Sequence, residues 1–269
     1  AAGLNHLNLK KESDKIKEFP SDRVRDGTIL RSELKEAFEA ASFAHLHNHS
    51  QYSILQSTSS VAGLVKEAIA NKMPAVALTD TGNMMGAFVF VKEILKYNKE
   101  AEDAITPILG CEFNVCDNHL DKSVKDNGYQ VVLLAKNKRG YHNLAKLASA
   151  AYIDGFYYVP RIDKHLVEQY KEDVIVLSGG VNGEIPNKIL NVGEHQAEEA
   201  LLWWKKTFGA DFYLEISDHQ QENEKHINDI IIGFSRKHEA KQIATNNTFY
   251  LKKSDSTAHD ILLCDKDGE

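Results

Sequence analysis

The chain has 269 residues, 42% of them hydrophobic and 26% charged, with a formal net charge of −7 and three cysteines. That length suits one α/β barrel of about 250 residues or two smaller cores, in an ordinary soluble globular composition. The acidic balance argues against direct gripping of a duplex backbone. The sparse set Cys111, Cys116 and Cys264 suits a reducing cytoplasm rather than a disulfide framework, and no apolar run reaches the about 20 residues of a membrane span.

Residues 1–42 are polar and charge-rich, with a helix-like stretch near 29–41, and read as a linker or arm ahead of a barrel domain over 43–269. The ends, Ala1-Ala2-Gly3 and Asp267-Gly268-Glu269, read as cuts within a longer chain. From residue 43 onward short apolar runs alternate with amphipathic ones. The runs at 43–49, 75–79, 105–115, 131–135, 174–177, 212–216 and 242–245 predict strands buried on both faces. Helical spacing is found over 61–71, where Val61, Leu64, Val65 and Ile69 share a face, and over 86–97, 138–151, 194–207 and 222–238. Repeated strand–helix alternation predicts a parallel α/β fold. The lack of a glycine-rich phosphate loop after the first run favours a barrel over a doubly wound sheet.

In such folds functional side chains gather at the C-terminal ends of strands. The first run, Phe43-Ala44-His45-Leu46-His47-Asn48-His49-Ser50, carries three histidines at strict alternation, all on one face if the run is a strand. Imidazole nitrogens grouped in this way suit a metal ion. Other strand ends supply Thr79-Asp80-Thr81, Gly110-Cys111-Glu112, Ser178-Gly179-Gly180, Ser217-Asp218-His219 and Thr245-Asn246-Asn247-Thr248-Phe249.

Residues 47–53, Thr79-Asp80 and Pro107-Ile108-Leu109-Gly110-Cys111-Glu112 together resemble the polymerase and histidinol phosphatase (PHP) domain, in the version found in bacterial DNA polymerase III α subunits. Leu134-Ala135-Lys136-Asn137, Gly140-Tyr141-His142-Asn143-Leu144, Ser178-Gly179-Gly180 and Ala244-Thr245-Asn246 continue the likeness in order. The resemblance covers roughly 43–269. It implies a distorted, TIM-like seven-stranded β/α barrel and, in metal-bound members, a cluster of metal ions on nine residues that activates water for phosphoester hydrolysis. His47, His49 and Glu112 match ligands of that set. The remaining positions fall on Gln56, Thr81, Gln130, Gly180, Asn247 and Phe249, which lack the charge or the donor atom.

A multi-ion hydrolytic centre on so few carboxylates is therefore not expected. Two readings stay open: a hydrogen-bonded polar core with no metal, or one zinc or manganese on His47, His49 and Glu112 with water as a further ligand. The resemblance implies a structural or docking role within a replicative polymerase, in the cytoplasm. Its partners are the rest of that chain, the proofreading exonuclease and the replisome, with DNA contacted through the whole protein. Magnesium-dependent nucleotidyl transfer belongs to other segments. The alternative is an active phosphoesterase or 3′–5′ exonuclease with a reduced ligand set.

Plainer expectations apply to the other polar and aromatic residues. His45 reads as a barrel-interior histidine, and Asp80 as a cap for the loop or helix after it. Asp218-His219 reads as a polar turn, and Trp203 and Trp204 as helix packing. Tyr152, Phe156, Tyr157 and Tyr158 form a cluster that packs the barrel bottom or meets a neighbour.

Overall fold

The computed structural model describes residues 43–268, so the expected arm over 1–42 lies outside the described residues. The elements are α1 (Val61–Ala70), β1 (Ala75–Leu78), α2 (Ala87–Asn98), β2 (Thr106–Cys116), β3 (Tyr129–Ala135) and α3 (Lys138–Ile153), followed by β4 (Arg161–Asp163), α4 (Lys164–Gln169) and β5 (Val174–Leu177). Then come α5 (Glu184–Asn191), α6 (Glu194–Phe208), β6 (Phe212–Ile216), α7 (Glu222–His238), β7 (Lys241–Ala244) and α8 (Ser256–Asp267). The helix starts are chemically marked. Ser60, Asn137 and Asp163 accept hydrogen bonds from the free N–H groups of the first turns of α1, α3 and α4. No helix among the described residues is long and apolar enough to cross a membrane.

Six strands form a curled sheet in the order β1-β2-β3-β5-β6-β7, and β4 pairs with the far end of β2. The expectation of an all-parallel sheet is corrected here. β3 runs antiparallel to both β2 and β5. No helix intervenes between Cys116 and Tyr129, so the chain returns beside β2 as a hairpin rather than crossing over.

The expected first strand is also corrected. Residues 45–49 form an extended segment with a bend at His47 and a single parallel bridge, Asn48 to Thr248. The segment still links the sheet edges. Ala77 and Thr79 N–H donate to the carbonyls of His45 and Asn48 (both 2.9 Å), and His49 N–H donates to Thr248 (2.8 Å).

Strand alternation divides the core. Cys111, Phe113, Val131, Leu133, Val176 and Leu214 face the covering helices. Val132, Leu134 and Leu177 point the other way, into the barrel, with Ala77. Glu112 lies opposite Val132 in the β2–β3 register and shares its inward face. Glu215 comes directly after Leu214 and so points inward as well.

Candidate metal centre at the barrel mouth

His47, His49 and Glu112 converge, each offering a donor atom within 4.8 Å of the others. A fourth residue, which motif spacing did not single out, completes the group. Glu215 Oε1 lies 2.7 Å from His47 Nδ1, while Glu112 Oε2 lies 3.0 Å from His47 Nε2. All of these side chains have zero exposure. Burial pushes the His47 imidazole down, but Glu215 and Glu112 together more than reverse this and raise it to about 10. His47 is thus an imidazolium that donates from both nitrogens. Burial acts to raise Glu112, yet the neighbouring imidazoles of His49 and His47, the latter hydrogen-bonded to it, hold its carboxyl well below the usual range. For Glu215, burial likewise acts upward and the pairing with His47 prevails, lowering it.

Glu215 is further fixed by the turn after β5. Gly179 and Gly180 N–H donate to Oε2 at 3.0 and 3.1 Å, and Thr245 Oγ1 donates to Oε1. Gly179 is left-handed (φ 75°), and a Cβ there would stand 2.2 Å from the Gln130 carbonyl oxygen, so the turn requires glycine.

His49 is the exception in this network. Neither of its ring nitrogens has a hydrogen-bond partner among the described residues, although Nε2 stands 3.5 Å from Glu112 Oε1. Its ring lies parallel to Phe249, with centroids 4.1 Å apart and 2° between the planes.

Several positions where the resemblance expects further ligands do reach the group. Thr81 Oγ1 donates to Glu112 Oε1 (3.0 Å), Gly180 holds Glu215, and Phe249 covers His49. None of these contacts can replace a carboxylate or imidazole. Gln56 is tied through its backbone instead, its carbonyl accepting from His259 Nε2 (2.8 Å).

The donor chemistry fits a single divalent ion on His47, His49 and Glu112, with the unpartnered His49 nitrogens as the best available ligand. It does not fit a cluster, because Glu215 is committed to His47, Thr245 and the two glycines. His47 must also yield a proton before it can serve as a ligand.

The plainer expectations meet mixed outcomes. Asp80 does not cap the loop or helix after it. It is buried and accepts from Ser50 N–H (2.6 Å), Ser50 Oγ (2.8 Å) and Ser53 Oγ (2.7 Å), pinning the loop after His49. Asp218 closes a turn onto Gln220 N–H (2.9 Å), and His219 pairs with Glu224 at the start of α7 (2.6 Å). Trp204 is buried and donates to Glu184 (2.9 Å). Tyr152 and Phe156 stack on each other with about half of each exposed, so they do not pack the barrel bottom.

A family model for the PHP domain matches residues 45–219. The DNA polymerase III subunit alpha of Borreliella burgdorferi is 38% identical over 226 residues, covering 82% of this chain and 19% of that protein. The subunit of Treponema pallidum is 39% identical over 228 residues, covering 83% and 19%. The chain therefore spans about a fifth of the length of these curated relatives. An amidohydrolase from Chromobacterium violaceum superimposes with a TM-score of 0.50 at 11% identity, over 77% of this chain and 87% of that one, a likeness of fold alone.

Proposed function

This chain belongs to the PHP domain family, and we propose that its barrel acts as a scaffold and docking module in a DNA polymerase III α-type protein, not as a hydrolase. The observation that carries this reading is the sealing of the mouth. His47, His49, Glu112 and Glu215 all have side chains without exposed surface. Metal-assisted phosphoester hydrolysis needs a water and a phosphoryl oxygen together at the ion. A polar group held shut by internal pairs instead ties β2, β6 and the 45–49 segment to one another. A buried network of this kind, hydrogen-bonded through His47, Glu112 and Glu215, serves rigidity.

The scaffold role requires no ion. The ion that His47, His49 and Glu112 suit is one zinc or manganese, which when bound supplies a Lewis acid. In this reading the partners are the remainder of the polymerase chain, the proofreading exonuclease and the replisome, in the cytoplasm. DNA contact and magnesium-dependent nucleotidyl transfer reside in that remainder. The relatives' identity and their greater length support this context. The alternative, a phosphoesterase or 3′–5′ exonuclease with a reduced ligand set, draws on one observation, the unpartnered nitrogens of His49.

The test pairs elemental analysis of protein purified without chelator with a chromogenic phosphodiester assay in zinc, manganese and magnesium. The expected result is no more than one ion per chain and no turnover above buffer. Turnover that a chelator abolishes, with any ion stoichiometry, overturns the scaffold reading.

A further inference from the structure

We infer that Phe249 decides the occupancy of the buried triad: its ring is the plug that keeps water and cations from His49, and without it one zinc-like divalent ion binds His49 together with His47 and Glu112. This rests on the reading of those three residues as the metal-competent part of the mouth. His49 is fully buried, while Phe249, stacked directly on it, is only partly so. The phenyl ring is therefore a layer between the imidazole and solvent.

A buried imidazole ordinarily finds hydrogen-bond partners, and a ligating one is oriented by an acceptor on its second nitrogen. His49 has neither arrangement. Its ring packs against Phe249 and against His47 at a centroid distance of 5.2 Å, with only the long 3.5 Å approach of Nε2 to Glu112 Oε1 beside these contacts.

The loop that carries the plug is fastened to the segment it covers. The Phe249 carbonyl accepts from Thr58 N–H (3.1 Å) and Ser57 Oγ (2.8 Å), and Thr248 N–H donates to the His47 carbonyl (3.0 Å). Asn247 turns the chain with φ 39°, and His259 of α8 backs the phenyl ring with centroids 5.8 Å apart. Beside the plug, Asn247 Oδ1 and Thr248 Oγ1 are also buried without a hydrogen-bond partner. The apolar ring thus lies over an imidazole whose nitrogens water or an ion would satisfy if the ring were absent. The triad supplies the affinity, and Phe249 withholds access to it.

Cobalt(II) titration of the full chain tests this, because a cobalt ion held by nitrogen and oxygen ligands absorbs in the visible. The expected outcome is that Phe249→Ala binds one equivalent at least about tenfold more tightly than the unsubstituted protein. Phe249→Leu, which keeps an apolar plug, stays near the unsubstituted protein, and Phe249→Ala with His49→Ala loses the gain. Equal affinity in Phe249→Ala and the unsubstituted chain, or a gain that survives His49→Ala, overturns the inference. If Phe249→Ala does not fold by circular dichroism, Phe249→Ser is read in the same titration against the same criteria. The two readings fail separately. Tight cobalt binding with hydrolysis in the unsubstituted protein removes the scaffold reading, whereas no gain on opening the plug removes only the role of Phe249.

Discussion

His47 and Arg161 are both cations with almost no exposed surface, and the barrel satisfies them in opposite ways. His47 is held between two carboxylates, Glu112 and Glu215, drawn from different strands. Arg161, the first residue of β4, hydrogen-bonds only to backbone carbonyls. Its Nε donates to the Gly155 carbonyl (3.1 Å), Nη1 to Asp126 (2.9 Å), and Nη2 to His119 (3.3 Å) and Asp121 (2.8 Å), while its plane lies 5.4 Å from the Tyr157 ring centre. One fork of donors thereby anchors the loop between β2 and β3 and the turn after α3. Gly155 is required there, since a Cβ would stand 1.9 Å from the Arg161 carbonyl oxygen. Charge paired with charge makes the mouth depend on protonation. Charge paired with carbonyls makes the loop anchor much less sensitive to it, since Asp121, held low chiefly by hydrogen bonds from Ser123, is lowered only slightly by Arg161.

Removing the guanidinium is the severest way to break the contrast. Arg161→Met is expected to lower unfolding free energy by about 3–5 kcal/mol in urea, because four carbonyls lose their donor at once. Arg161→Lys is expected to recover little, since one ammonium does not reproduce the fork. A loss below about 1 kcal/mol would show that water replaces the anchor and that the two sites are alike after all.

Glu215→Gln keeps the shape at the mouth and removes one charge, for an expected loss of about 1–3 kcal/mol at neutral pH in chelator-treated protein. The pH profile sharpens the difference. Glu112 and Glu215 titrate below their ordinary 4.5, so their contribution is complete above that value and is lost as pH falls through the folded values. His47 titrates at about 10 rather than 6.5, so its contribution is complete below 6.5 and is lost as pH rises through about 10. Glu215→Gln should flatten both limbs of stability against pH, whereas Arg161→Met should shift the curve down without changing its shape. Flattening by Arg161→Met would couple the two sites.

The smallest expected effect is at the surface. Lys136 and Asp211 pair at 2.8 Å with more than a third of each side chain exposed, and Lys136→Ala should cost under about 1 kcal/mol by the same measurement.

Much of the fold was readable in the chain because local chemistry repeats it. The spacing of apolar residues located α1 and the strand at 212–216, and the apolar runs located β5 and β7 to within a residue or so, although β7 is largely exposed rather than buried on both faces. The direction of β3 was not readable in this way. A run such as Val131-Val132-Leu133-Leu134 looks the same whichever way it pairs, and only the connection before it, a loop in place of a helix, turns it around. At the mouth, His47, His49 and Glu112 could be found from motif spacing. Glu215 left one faint signal, an acid between Leu214 and Ile216 in a strand otherwise apolar on that stretch. Its partner His47 is 168 residues away.

Apolar periodicity placed β1–β3, β5–β7, α1–α3, α6 and α7, and residue chemistry marked the histidines and glutamate able to meet a metal, because both act over short distances. Tertiary contacts set the rest: His47 lies between two carboxylates, Phe249 covers His49, and Arg161 gathers four carbonyls. Burial, pKa and ring contacts depend on which distant segments share a few ångströms, and that neighbourhood exists only once the sheet has curled.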